Sequence, residues 1–206
     1  MGANPTVVAR WTKGIIDWAA ENGLSRQELL DAAGLTDRRL LEPDGRIPYS
    51  AHLRVWREID EKASDPFFGI HFAERGANLE LYDTVGYLIL CSETFGEAMN
   101  IVTRYCRWIN EFADTRAFAD GRFVRISDGP LSGEQWPRQY AESTMALFVA
   151  LTRQMFEQEW VPLEVRFQHP KPGSTSELER VFGCPLRFEA GKNEILADIE
   201  ILQMRR

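Results

Sequence analysis

The chain has 206 residues, 44% of them hydrophobic and 27% charged, with a formal net charge of −7. That length and apolar content suffice for a real core, and the interspersed charges exclude a disordered tail or a polybasic arm. The negative balance opposes phosphate backbones, so this chain alone is expected to bind DNA poorly.

The longest apolar stretch, residues 85–91, is far too short to span a bilayer. The N-terminus lacks a charged-then-apolar export pattern, so the expectation is a cytoplasmic protein with no membrane partner. Three cysteines, Cys91, Cys106 and Cys184, are odd in number and widely spaced, which suits buried thiols better than a disulfide framework.

Along the chain, residues 6–22 place Val8, Trp11, Ile15, Trp18 and Ala19 at helical spacing, predicting one amphipathic helix. Ser25 and Glu28 form a capping box for a short helix that Gly34 can close in the left-handed region. A short helical turn is expected over residues 37–41, then a chain reversal at Pro43, Asp44 and Gly45. Pro48, Leu53, Trp56, Ile59 and Ala63 mark the next helix, and Asp65-Pro66 opens one carrying Phe67, Ile70 and Phe72.

After a mostly apolar segment, Thr94 and Glu97 make a second capping box. Phe95, Ala98, Met99, Val102, Tyr105, Cys106 and Ile109 then hold three-and-four spacing for over four turns. Beyond residue 110 the pattern becomes alternating, and FADTRAFADGRFVRIS reads as two strands joined at Asp120-Gly121. A long helix over residues 137–158 buries Tyr140, Thr144, Leu147, Phe148, Leu151 and Met155.

In EVRFQHPKPGSTSELERVFGCPLRFEAGKNE, Val165, Phe167 and His169 share one strand face, and Leu186 and Phe188 share one face of a later strand. Ser174 and Glu177 read as a third capping box, for a helix burying Leu178, Val181 and Phe182. Gly191-Lys192-Asn193 turns the chain into a last strand.

No chemistry of a known catalytic type is legible. His52, His71 and His169 are scattered and no two cysteines lie close, so no metal site is expected. There is no Gly-x-Ser-x-Gly elbow, phosphate-binding glycine loop or dinucleotide fingerprint, so no catalytic residue and no cofactor are assigned. The stretch LSRQELLDAAGLTDRRLLE scans like a helix-turn-helix with Arg38 and Arg39 at the reading position, but Pro43 cuts its second helix to under two turns.

The Gly-Tyr-Leu segment at Gly86, the Val-x-Phe-x-His-x-x-Pro strand at residues 165–172 and the Phe-Gly-Cys-Pro-Leu-x-Phe segment at 182–188, in that order and spacing, resemble the N-terminal effector domain of AraC-type transcription regulators. That domain carries the loose name arabinose-binding domain. The resemblance runs over nearly the whole chain. It implies a ligand-sensing domain that binds a small-molecule effector and acts on DNA only through a C-terminal domain with two helix-turn-helix units, absent from these 206 residues. One departure is Ser174 to Glu177, where the family tends to place an aromatic residue early in the helix.

The expected fold is α+β, with a helical subdomain over residues 1–110 packed on a small antiparallel or mixed sheet with two helices over residues 111–206. A ligand pocket is expected between the two halves. Tyr87, Arg104, Trp108 and His169 are the candidate ligand-binding residues, since they combine aromatic walls with charge. The competing reading is an interaction module, a homodimer without ligand sensing.

Overall fold

The computed structural model describes residues 4–42, 44–75 and 83–206, with the side chain of Asp83 left out of the description. Pro43 and the start of the apolar segment before Asp83 therefore lie outside the described residues. The structure is mixed α and β, as expected.

The first departure comes at the N-terminus, where residues 6–8 are not helical. β1 (Thr6–Val8) pairs antiparallel with β2 (Arg46–Pro48), and only then does α1 (Ala9–Glu21) begin. Three β-branched residues in a row favour the pleated backbone once a partner edge is present, and Val7 at the centre of the pair is fully buried. α2 (Arg26–Ala33) is capped by Ser25, whose side chain accepts from the Glu28 backbone N–H, and Gly34 ends it at φ 65°. The reciprocal half of that capping box is replaced by an ion pair, because the Glu28 carboxylate reaches Lys62 at 3.1 Å. α3 (Asp37–Leu40) is one turn long, so the helix-turn-helix-like stretch has no helix to lay in a groove.

α4 (Tyr49–Lys62) and α5 (Phe68–Arg75) follow, the second preceded by an Asp65 carboxylate that accepts from the Phe67 N–H at 2.9 Å. α6 (Asp83–Leu90) packs on α7 (Phe95–Ile109). Thr94 accepts from the Glu97 N–H at 3.2 Å, while the Glu97 carboxylate reaches the N–H of Glu93, one residue earlier than in an ideal box.

β3 (Arg116–Asp120) and β4 (Phe123–Asp128) form the expected hairpin, with Asp120 opposite Phe123 so that Gly121 and Arg122 are the two turn residues. α8 (Arg138–Phe156) is the longest helix described. β5 (Glu164–Arg166), α9 (Ser176–Phe182), β6 (Leu186–Arg187) and β7 (Asn193–Asp198) complete the sheet, and a 3-10 helix over Ile199–Gln203 returns to α7.

The third expected capping box does not form. α9 starts at Ser176, its N-cap residue Thr175 makes no side-chain cap bond, and Thr175 donates instead to Glu179 at 2.7 Å. Glu177 is drawn away by Arg180 at 2.6 Å and His71 at 3.3 Å, a stronger charge-assisted set than one backbone N–H offers.

The five-stranded sheet runs β3-β4-β7-β5-β6, so the last strand in sequence sits at its centre. All its pairs are antiparallel except β5 with β6, which the α9 crossover makes parallel. One hydrophobic core joins both segments, from Ile15, Ile47 and Trp56 through Met145 to Phe167 and Ile195. Its tightest helix crossing is α5 on α8, where Gly69 lies against the backbone of Gln139. Among the described residues no helix is long and apolar enough to cross a membrane.

Candidate functional site

α7 and α8 each present the apolar stripe their sequences predict, yet the two stripes do not close on one another. Between them lies a cavity of about 140 Å³. Phe95, Ala98, Met99, Val102 and Cys106 line it from α7, Tyr140 through Phe156 from α8, and Val85, Ile89 and Trp11 from α6 and α1. Of the α7 stripe only Phe95, Ala98 and Met99 are buried; Val102, Tyr105, Cys106 and Ile109 are part-exposed. The cavity is bordered by helices of the first 110 residues on one side and by α8 and the end of β4 on the other, the position expected for a ligand pocket.

One end of this cavity is polar. The chain between α7 and β3 brings Asn110, Ala113 and Thr115 to the lining, and β4 ends there with Asp128. Thr115 extends the hairpin pairing, donating from Oγ1 to Asp128 Oδ1 at 2.8 Å, and the Gly129 N–H donates to the same oxygen at 3.1 Å. Burial pushes the Asp128 carboxyl up to about 7, against the lowering effect of these two donors; nearby Asp114 raises it further. Asn110 donates from Nδ2 to the Tyr140 hydroxyl at 3.2 Å and accepts the Phe112 N–H at 3.0 Å. Tyr140 in turn stacks on Trp136 and Trp56 with centroids 4.3 and 5.1 Å away, which makes that wall rigid.

Of the residues singled out from sequence, none lines this cavity. Tyr87 and Trp108 are exposed, at 61% and 64%. Arg104 is exposed too and lies over the Tyr105 ring at 5.5 Å, while Trp108 meets the same ring edge-on. His169 is buried on the far side of α8. Its Nδ1 bonds the Pro170 carbonyl at 2.9 Å, so Nδ1 carries the proton, and its Nε2 lies 3.5 Å from Glu142 Oε1. Desolvation lowers the His169 pKa, and desolvation raises that of Glu142 to about 7 although Arg138 sits 2.8 Å away. Burial thus pushes both His169 and Glu142 toward their neutral forms at this buried polar junction.

Asp128, Thr115 and Asn110 were not legible in advance. An aspartate directly before Gly129 reads as a turn residue, and nothing local says that its carboxyl faces a cavity. Cys184 is half-buried, and burial pushes its thiol up to about 11, the opposite of an activated nucleophile. Among the described residues no group of three or more potential ligand side chains is placed to hold a metal ion.

The comparisons with known proteins agree with this architecture. The profile of the arabinose-binding domain of AraC transcription regulators, N-terminal, matches residues 23–205. The ornithine utilization regulator of Pseudomonas aeruginosa is 25% identical over 186 residues, which cover 89% of this chain and 54% of that protein. The crystal structure of the transcriptional regulator CdpR from Pseudomonas aeruginosa shares the fold, with a TM-score of 0.57 at 16% identity over 91% of this chain and 56% of that one. This chain thus spans about half the length of each of these relatives. With the profile covering all but the ends, the chain belongs to the N-terminal arabinose-binding domain family of AraC transcription regulators.

Proposed function

We propose that this domain senses a small-molecule effector in the cavity between α7 and α8 and passes its occupancy to DNA-binding units of a regulator. The observation that carries the reading is the cavity itself: an apolar space with one polar end, built where two packed segments meet. Membership of an AraC regulator family supports it, and a cytoplasmic location follows from it. Occupancy matters only if the effector prefers one arrangement of the domain, and a tenfold preference corresponds to about 1.4 kcal/mol. The cavity walls can supply that preference, because α6 and α7 meet α8 across space rather than in a closed seam.

Ala98 is buried on α7 and lines the cavity, so Ala98→Phe fills much of it from one wall. In a thermal-shift screen against small metabolites, compounds that raise the melting temperature of the natural sequence are expected to lose at least nine-tenths of that effect in Ala98→Phe. Undiminished stabilisation of the folded variant would place binding elsewhere and sink the reading.

A second reading, a dimerisation surface, draws on the exposed Tyr87, Leu88 and Trp108 of the neighbouring helices α6 and α7. It predicts that Tyr87→Ser with Trp108→Ser shifts a sedimenting dimer to monomer. An unchanged sedimentation coefficient removes these residues from any such interface.

A further inference from the structure

The lining of the cavity is unequal in charge. Among its described lining residues Asp128 alone has a carboxyl group, and no lysine, arginine or histidine is among them. Its other polar groups are occupied within the fold. Thr144 donates to the Ala141 carbonyl at 3.0 Å, Thr152 to the Phe148 carbonyl at 2.6 Å and Asn110 to Tyr140. Both donors to Asp128 share Oδ1, which leaves Oδ2 without a hydrogen-bond donor among the described residues. The titratable groups that face Asp128 from the surrounding elements are Asp114 before β3, itself paired with Arg116 at 2.9 Å, and Cys106 on α7 and Tyr49 on α4, which burial holds toward their neutral forms.

A carboxyl group at the end of an apolar cavity, with no cation among the described lining residues, is unmatched once ionised, and the complement it lacks is a positive charge. An anionic ligand would meet the Asp128 carboxyl with no cation among the described lining residues to offset it. A zwitterionic amino acid would pair its ammonium but bury its own carboxylate with no cation to receive it. A single ammonium on an apolar body meets every requirement, forming a charge-assisted bond to Asp128 while its carbon skeleton fills the space between α7 and α8.

From this geometry we propose that the cavity takes small primary monoamines, of roughly six to ten heavy atoms given that a cavity of similar size holds benzene. The inference rests on the reading of the cavity as the effector site and adds the ligand's class. It separates this chain from its relative named for ornithine utilization, since ornithine carries two ammonium groups and a carboxylate. Pairing with an ammonium holds Asp128 ionised, so affinity is level between about pH 7 and the pKa of the amine itself, and weakens toward tenfold per pH unit below about pH 7, as the free carboxyl takes up its proton.

The test is isothermal titration of the 206-residue chain with benzylamine, with benzyl alcohol as the neutral molecule of the same shape, and with L-ornithine. Benzylamine is expected to bind at least tenfold more tightly than either of the others, with the loss at acid pH given above. In Asp128→Asn the preference for amine over alcohol disappears, whereas Thr115→Val, which removes a hydrogen bond to the carboxyl and keeps the charge, retains it. If Asp128→Asn does not fold, the pH dependence of the natural sequence carries the same information. Equal affinity for amine and alcohol overturns the monoamine class and leaves the effector site standing. Amine binding that survives both Asp128→Asn and Ala98→Phe overturns the class and the site together. No binding of benzylamine also overturns the class, and the Ala98→Phe screen then judges the site separately.

Discussion

Gly69→Ala is expected to destabilise the domain by about 3 kcal/mol, at the upper end of what overpacking costs. A Cβ at Gly69 would sit 2.1 Å from the Gln139 carbonyl oxygen and 2.9 Å from its carbon, both backbone atoms of α8 that no rotamer change can move. The two helices are further locked there by the Gly69 N–H, which donates to Gln139 Oε1 at 2.8 Å in a buried position. Alanine gains about 1 kcal/mol over glycine in a helix interior, so the clash must exceed that gain before any loss is seen. Here it does, because separating α5 from α8 opens the core around Phe68, Met145 and Trp56. Urea denaturation measures the effect. Gly129→Ala is the control, since its Cβ would meet nothing within 4 Å, and should be near neutral. Equal midpoints for Gly69→Ala and the natural sequence would show that the crossing is looser than described.

Glu142→Gln is expected to make the domain more stable near neutral pH while changing little in acid. Glu142 is fully buried on α8, and desolvation raises its carboxyl from 4.5 to about 7. Arg138 opposes this from 2.8 Å, but its own side chain is 27% exposed and water screens its charge. The folded state therefore keeps the proton through a range of pH in which the unfolded chain has lost it. Stability falls as pH rises from about 4.5 to about 7, and the full loss, on the order of 3 kcal/mol, is in place above that range. Asp128 adds a fall of the same sign from 3.8 to about 7. Glutamine has no proton to lose, so Glu142→Gln removes one of the two contributions and flattens the profile. Unfolding free energies measured across that range decide it. A variant profile parallel to that of the natural sequence would mean that Glu142 is ionised in the folded state.

The features that sequence alone determined are local ones. Ser25 and Thr94 cap their helices because the side chain and the N–H it accepts lie three residues apart, a distance fixed by the chain itself. The stripes of α7 and α8 follow from 3.6-residue periodicity, and the hairpin from the positive φ that Gly121 adopts at its turn. The family was legible too, because it rests on ordered motifs around Phe167, Cys184 and Gly86 that survive as linear patterns.

What tertiary structure decided depends on residues far apart in the chain. β1 is a strand because β2, some 40 residues later, supplies an edge, and Glu177 leaves its capping role because His71 and Arg180 offer it more. The placement of β7 at the sheet centre has no local signal at all. The cavity is the clearest case. An apolar stripe looks the same in sequence whether it meets its partner or stops short of it, so α7 and α8 read as core and only their packing leaves space between them. Asp128 reads as half of an Asp-Gly turn for the same reason: its type and neighbours are written in the chain, whereas burial and the lack of a cation nearby are properties of the assembled fold.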